Sequence, residues 1–320
     1  MTNRFVIGVD IGGTTVKNAL FRPDGELIDK WEIPTRKTDN GSHIPADIWT
    51  SIEAKMKTNN LERNTCLGIG AGAPGFIEPE TGKVAIGVNI GWKDFHLKKQ
   101  LEELSGLPVF LDNDANIAAL GETWKGAGKD ASNILAVTLG TGVGGGIIVN
   151  RHIVSGANGT AAEIGHITVE DEGAPCNCGR KGCLETVASA TGIVRQANEL
   201  LAQGKAPLLR EVKEELGKIT TKEIFEVALK GDQDIQKMLD HVLDVLGFSL
   251  SNLAIALNPS KIIIGGGVSK AGDQILTPLK QAFKKYTLPR TEEICEIVIA
   301  KLGNDAGVYG GAYLVLQSVE

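Results

Sequence analysis

The sequence is short of basic patches, of long apolar runs and of paired cysteines, and each shortage closes off a class of function. Lys and Arg are scattered singly and the net charge is −6. The electrostatic footprint that nucleic-acid binding needs is missing, and any anionic ligand must be held locally. No stretch reaches the ~18 uninterrupted apolar residues of a membrane span. The start, MTNRFVIGVDIGG, gives way to Asp and glycine too soon for a signal-peptide core. The cysteine count is five, an odd number, with Cys66 and Cys295 isolated, so a disulfide framework is not expected and a reducing, cytoplasmic setting fits. Aromatics are only 5%, but 42% apolar and 22% charged residues exclude disorder and suit a globular enzyme.

At 320 residues the chain exceeds the size at which one core stops growing, which predicts two domains or one large α/β unit. β-branched runs such as FVIGVDI, NILAVTL and KIIIGG alternate with helical periodicities, the mark of an α/β architecture. Ile44, Ile48, Ile52 and Met56 recur every four residues with Pro45 near the start, which predicts a surface helix with one apolar stripe. From Ile235 to Leu257 the pattern turns apolar on nearly all sides after Gly247, until Asn258-Pro259 stops it, which predicts a centrally buried helix. GVDIGGTTV at 8–16 and TLGTGVGGGI at 138–147 both read strand, Gly-rich turn, strand, the pattern of a duplicated domain. No Pro-rich linker separates the halves, and the boundary is expected in KGAGKDAS, Lys125 to Ser132.

A tight glycine hairpin exposes consecutive backbone N–H groups and makes an anion-binding concavity suited to a polyphosphate tail. In the first hairpin Gly12 and Gly13 supply the turn, Thr14 and Thr15 supply donors and Lys17 a cation. Asp10 is placed to hold Mg²⁺ through water. An ordinary hairpin fits this stretch equally well. A second loop at Gly140, Thr141 and Gly142 favours the phosphate reading, because two facing loops can clamp one nucleotide between domains. The G-x-G-x-x-G matches at Gly70 and Gly140 are poor dinucleotide fingerprints, which need a helix directly after the glycines; Pro74 interrupts one and Ile147 to Val149 follow the other. A Walker A loop is absent. Gly265, Gly266 and Gly267 end the run Ile262 to Ile264 and suit either close approach of an adenine or a plain strand-to-helix turn.

LPVFLDNDANIAALGE reads as a strand to Asp112 and a helix with an apolar face of Ile117, Leu120 and Trp124. Asp114 then sits at a strand's carboxyl end and a helix's amino end, where ligands bind and a carboxylate stays ionised. An ionised Asp near a hydroxyl is the base that phosphoryl transfer uses; Asn113 or Asp114 serving merely as N-cap is the competing account. His166, Cys176, Cys178 and Cys183 make a complete tetrahedral zinc set with no room for activated water, so the metal is expected to be structural. Glu163 and Glu185 flank that knot, which can carry Glu163, His166 and Glu185 to one small polar ligand.

Taken together, DIGGTTVK, GAPGFIE, NDANIAALGE, TLGTGVGGGI, EIGH, CNCGRKGCLE and IIIGGGVS resemble, in order and over essentially the whole chain, the bacterial glucokinases of the ROK (repressor, open reading frame, kinase) family. The resemblance implies two actin-like (RNase H-like) α/β domains with an interdomain cleft and a zinc-binding loop. The expected limits are 1–125 plus 305–320 for the small N-terminal domain and 126–304 for the large one. It implies ATP phosphates and Mg²⁺ at Asp10 to Thr15 and Gly140 to Gly142, with Lys17, Gly266 and Gly267 on the nucleotide side. Sugar hydroxyls fall to Gly75, Asn113, Asp114, Glu163, His166 and Glu185, zinc to His166, Cys176, Cys178 and Cys183, and the base to Asp114. The implied activity is ATP-dependent phosphorylation of glucose at the head of glycolysis, in the cytoplasm, by a homodimer or homotetramer with no nucleic-acid or membrane partner. Another hexose or N-acetylhexosamine as substrate, or a non-catalytic sugar sensor, are the alternatives; family repressors carry a DNA-binding domain ahead of the core, for which a first strand at about Phe5 leaves no room.

Overall fold

The computed structural model describes residues 4–87 and 89–319; Met1 to Asn3, Val88 and Glu320 lie outside the described residues. The chain is α/β and divides into two compact units. The first comprises Met1–Ser132, Gly146–Ala162 and Lys301–Glu320, the second Asn133–Gly145 and Glu163–Ala300. Residues 146–162, expected with the larger domain, group with the first unit, and Arg151 supplies a reason. Its backbone N–H donates to Ser132 O at 2.8 Å, its guanidinium donates to the carbonyls of Thr123, Lys129 and Ala131, and it lies over the Tyr313 ring.

In the first unit the strands β1 (Phe5–Ile11), β2 (Thr15–Phe21), β3 (Leu27–Pro34) and β4 (Cys66–Ala73) are followed by a small antiparallel sheet of β5 (Phe76–Ile77), β6 (Val84–Gly87) and β7 (Trp92–Phe95), and then by β8 (Val109–Asn113). The main sheet has the order β3-β2-β1-β4-β8, antiparallel through the first three strands and parallel from β1 to β4 to β8. Side chains along β1 alternate between faces. Phe5, Ile7, Val9 and Ile11 join the core that contains Ile48 and Ile52 of α1 (Ile44–Thr58) and Leu97 and Leu101 of α2 (Leu97–Ser105). Ile44, Ile48, Ile52 and Met56 are all buried, as their spacing predicts. Truncating Ile48 or Ile52 to Ala removes full burial and costs roughly 2–5 kcal/mol. Val6, Gly8 and Asp10 turn to the other face, behind α3 (Asp114–Lys125) and the last helix.

The second sheet, β11-β10-β9-β12-β13, repeats the first: third, second, first, fourth, fifth in chain order. Its strands are β9 (Ile134–Leu139), β10 (Val143–Val149), β11 (His152–Ile153), β12 (Lys261–Gly265) and β13 (Glu296–Ile299), and β10 passes into the first unit at Gly146. The second unit also holds α4 (Leu184–Ala188), α5 (Ala190–Ala202), α6 (Pro207–Leu216), α7 (Thr221–Leu229), α8 (Gln233–Leu257), α9 (Asp273–Tyr286) and α10 (Pro289–Glu292). Asp232 caps α8 by accepting from Ile235 N, and Asn258, left-handed at φ 48°, ends it before Pro259. The expectation that α8 is centrally buried holds for one side of the helix only. Ile235, Leu239, Val242, Leu246 and Leu250 are buried, whereas Phe248 and Ile255 on the other side are 46% and 42% exposed.

The chain ends in α11 (Ala306–Val319), which packs Val308, Ala312 and Val315 against Val6, Ala19 and Phe21. Its approach is as close as backbone allows: a Cβ on Gly70 would collide with the Gly311 carbonyl, and one on Gly310 with the Ile117 carbonyl. Close packing brings Gly307, at the start of α11, against the Asp10 carboxylate. The G-x-G at 70–72 is thus a packing device inside β4, with no ligand needed to account for it.

Candidate active site

In the first unit β1 leads straight into the Gly12 turn, closed by Gly12 N–H donating to Thr15 O at 3.0 Å. Thr35, at the end of β3, clamps this turn: its hydroxyl donates to Gly12 O (2.7 Å) and its N–H to Thr14 O (2.9 Å). No local pattern in the sequence marks Thr35. The usable signal is register, since Thr15 pairs with Pro34 and the next residue must face the turn.

Asp10 pairs with Lys17 across β1 and β2. Burial pushes its carboxyl up to about 6, against the pull of the Lys17 charge and with help from the charge of Asp114. Lys17 Nζ donates to Asn304 O at 2.7 Å. A carboxylate that resists ionisation beside a second carboxylate fits a divalent cation, whose charge would offset both.

The β8–α3 corner resolves the capping question. Asn113 is the N-cap: its Oδ1 accepts from Ala115 N at 2.8 Å, and its Nδ2 donates to Gly75 O at 2.9 Å. Gly75 has φ +109°, and a Cβ there would collide with the Ile86 carbonyl, so the turn needs glycine. Asp114 is the first helical residue and keeps contact with solvent. The protein packed around it raises its carboxyl above the usual carboxylate range, against the Ala115 N–H that donates to Oδ1 at 2.9 Å. Behind the corner, Asp112 accepts from Asn113 N (2.7 Å), the Asn116 amide (2.8 Å) and the Ser155 hydroxyl (3.4 Å). Burial raises its carboxyl too. Asp112 holds the corner that aims Asp114.

In the second unit Gly140 N–H donates to Gly142 O at 3.0 Å, and the start of α5 holds the loop: Ala190 N–H donates to Gly140 O and the Thr191 hydroxyl to Thr141 O. Glu185 Oε2 accepts from Val143 N at 3.1 Å, and a Cβ on Gly142 would overlap that carboxylate. Glu185 Oε1 lies 3.9 Å from Cys176 Sγ. One carboxylate therefore touches both the glycine loop and the cysteine knot. Gly266, at φ +84°, packs on the Leu139 backbone, while no neighbour crowds Gly267.

His166, Cys176, Cys178 and Cys183 each offer one atom able to bind a metal, and the four atoms lie within 4.8 Å of one another. The Cys178 and Cys183 sulfurs are 3.6 Å apart, as are Cys176 Sγ and His166 Nδ1. A tetrahedral zinc with Zn–S near 2.3 Å separates its sulfurs by about 3.8 Å, so the set fits that ion. Arg180, through its backbone and guanidinium, brings the Cys178 thiol down to about 6, while burial pushes Cys183 up to about 12. With Nδ1 on the knot, His166 Nε2 faces Glu163 at 4.0 Å.

The ROK family profile matches residues 6–318. The chain belongs to the ROK family. Among ROK relatives, the glucokinase of Halalkalibacterium halodurans is 54% identical over 99% of this chain and 96% of its own length. That of Thermotoga maritima is 37% identical over 98% of both chains. A ROK family glucokinase from Streptomyces griseus, solved in complex with glucose and AMPPNP, superposes with a TM-score of 0.78 at 34% identity, covering 98% of this chain and 99% of that one.

Proposed function

We propose that this chain transfers the terminal phosphoryl group of ATP to the 6-hydroxyl of glucose, with Asp114 as general base. The observation that carries the proposal is the first unit's pair of carboxylates. Asp114 stands at the amino end of α3, and its charge reaches Asp10, which leads directly into the clamped glycine turn. A base beside a phosphate-binding turn is the arrangement phosphoryl transfer asks for. Near-full-length similarity to glucokinases supports glucose as the acceptor.

Asp114, ionised, takes the hydroxyl proton as the phosphoryl group moves. Gly12 to Thr15 and Gly140 to Gly142 bind phosphate oxygens through backbone N–H groups. Asp10 holds Mg²⁺, which supplies neutralisation of the phosphate charge. Asn113 fixes Gly75, and Glu163, His166 Nε2 and Glu185 orient sugar hydroxyls from the knot that His166, Cys176, Cys178 and Cys183 form around zinc. Gly266 and Gly267 leave room for the adenine. The two compact units act as the two kinase domains, in a reducing cytoplasm that keeps the cysteines out of disulfides, and the protein assembles as a homodimer or homotetramer.

The experiment is ADP production with Mg-ATP across glucose, fructose, mannose and the N-acetylated hexosamines, for wild type and Asp114→Asn. Glucose-dependent turnover that collapses in the variant supports the proposal. Turnover on another sugar alone changes the substrate, and saturable glucose binding without turnover makes the chain a sensor.

A further inference from the structure

Lys37 brings a positive charge to the first glycine turn. A Cβ on Gly13 would lie 3.6 Å from Lys37 Nζ and 3.7 Å from Asn89 Cβ. The ammonium therefore stands over the tip of the hairpin, in space left open by the missing side chain. Its charged neighbours are occupied: Arg36 makes a two-point pair with Asp47 at 3.0 and 2.6 Å, Asp39 meets His43 at 3.2 Å, and Lys17 donates to Asn304 O. Among the described residues Lys37 Nζ has no hydrogen-bond acceptor or carboxylate partner.

Its position is set by the turn itself. Thr35, two residues earlier, is hydrogen-bonded to both Gly12 and Thr14, and Lys37 O accepts from Gly41 N at 3.3 Å. An ordered turn thus carries an ordered backbone at Lys37. Asp10 lies in register with Gly72 of β4, and Gly72 with Asp112 of β8, so the glycine turn and the corner that carries Asp114 leave the same end of the sheet, and the turn is on the base's side of a bound nucleotide. The phosphate nearest the base is the one transferred. In a chain of net charge −6 without a basic patch, an unpaired ammonium at that place has one evident use.

We propose that Lys37 is a further catalytic residue, a mobile point charge over Gly13 that contacts the terminal phosphoryl oxygens as they acquire charge. The inference rests on the phosphoryl-transfer reading of the same turn. Lysine suits the task because it neutralises transferring phosphate oxygens without demanding a fixed planar geometry.

The test compares wild type, Lys37→Met and Lys37→Arg in steady-state turnover with Mg-ATP and glucose, and in calorimetric binding of Mg-ADP and Mg-AMPPNP. In Lys37→Met, kcat should fall on the order of 10²-fold with the KM for glucose within about twofold. AMPPNP affinity should fall about tenfold while ADP affinity holds, and Lys37→Arg should recover most of the lost kcat. Unchanged kcat in Lys37→Met with an active wild type overturns the inference. So does equal weakening of ADP and AMPPNP, which moves the contact away from the terminal phosphate. If the wild type turns over no sugar, the glucokinase reading fails by itself, and the ADP against AMPPNP comparison still decides whether Lys37 senses that phosphate.

Discussion

His166 Nδ1 lies 3.6 Å from Cys176 Sγ while Nε2 of the same ring faces Glu163 at 4.0 Å, so the cysteine knot dictates which ring nitrogen points away from it. A histidine whose one nitrogen is committed to a metal presents the other in a fixed orientation. Removing the metal with a chelator, or making Cys178→Ser, should weaken glucose binding about tenfold or more and leave nucleotide affinity within about twofold. Calorimetric titration of both ligands checks this. Equal losses for both ligands would mean the knot supports the whole unit and does not brace a sugar site.

Asp114 gives a pH prediction with a definite sign. A base must be ionised, and burial raises this carboxyl above its usual range. kcat/KM should therefore fall as pH drops through a value above that of an ordinary aspartate, and the loss should be complete while the protein is still folded. Asp114→Asn should lower kcat on the order of 10²–10⁴-fold and retain glucose binding. An acid limb that survives in the residual activity of the variant would belong to another group.

Asp10 should show function opposing stability. Its carboxyl is raised from 3.8 to about 6, chiefly by burial. Below the lower value both folded and unfolded states are protonated and no penalty exists. As pH rises from the lower value to the higher, the unfolded carboxyl ionises while the folded one resists, so stability is lost across that window and stays reduced above it. Asp10→Asn removes that penalty, so the metal-free protein should gain on the order of 2 kcal/mol at about pH 8 and almost nothing at about pH 3. The same substitution should abolish Mg-ATP turnover. Urea unfolding at the two pH values is the measurement, and a variant less stable at the higher pH contradicts the burial argument.

Local patterns were legible in the sequence and distant pairings were not. The four-residue spacing in α1, the Asn258-Pro259 stop, the two glycine hairpins and the clustering of His166 with three cysteines all depend on neighbours a few to some twenty positions apart, and each appears in the structure. Thr35, Asp112 and Glu122 act through partners that chain topology brings from far away: Ser155 reaches Asp112 across 43 positions, and Leu302 reaches Glu122 across 180. No window of sequence contains such a pair. The exposed side of α8 has a different cause. A helix apolar on every side reads as central, but Phe248 edges against Tyr286 at 5.2 Å and Ile255 meets solvent, so apolar content exceeded what the unit buries.

Glu122 supports a last prediction, on stability. It is 3% exposed and accepts from three backbone amides: Ala127 N at 2.7 Å, Lys301 N at 3.1 Å and Leu302 N at 2.7 Å. The chain first leaves the first unit after Ser132 and makes its last return at Lys301, so one buried carboxylate ties down both segments next to those two crossings. Glu122→Gln keeps the shape but turns one acceptor into an N–H donor facing N–H groups, leaving them unpaired. The expected cost is roughly 2–4 kcal/mol. Hydrogen exchange should speed up at Ala127, Lys301 and Leu302 before it does in β1 or β4, because the lost acceptor is local. If Glu122→Gln unfolds at the wild-type urea midpoint with unchanged exchange at those three amides, the carboxylate does not hold the crossing.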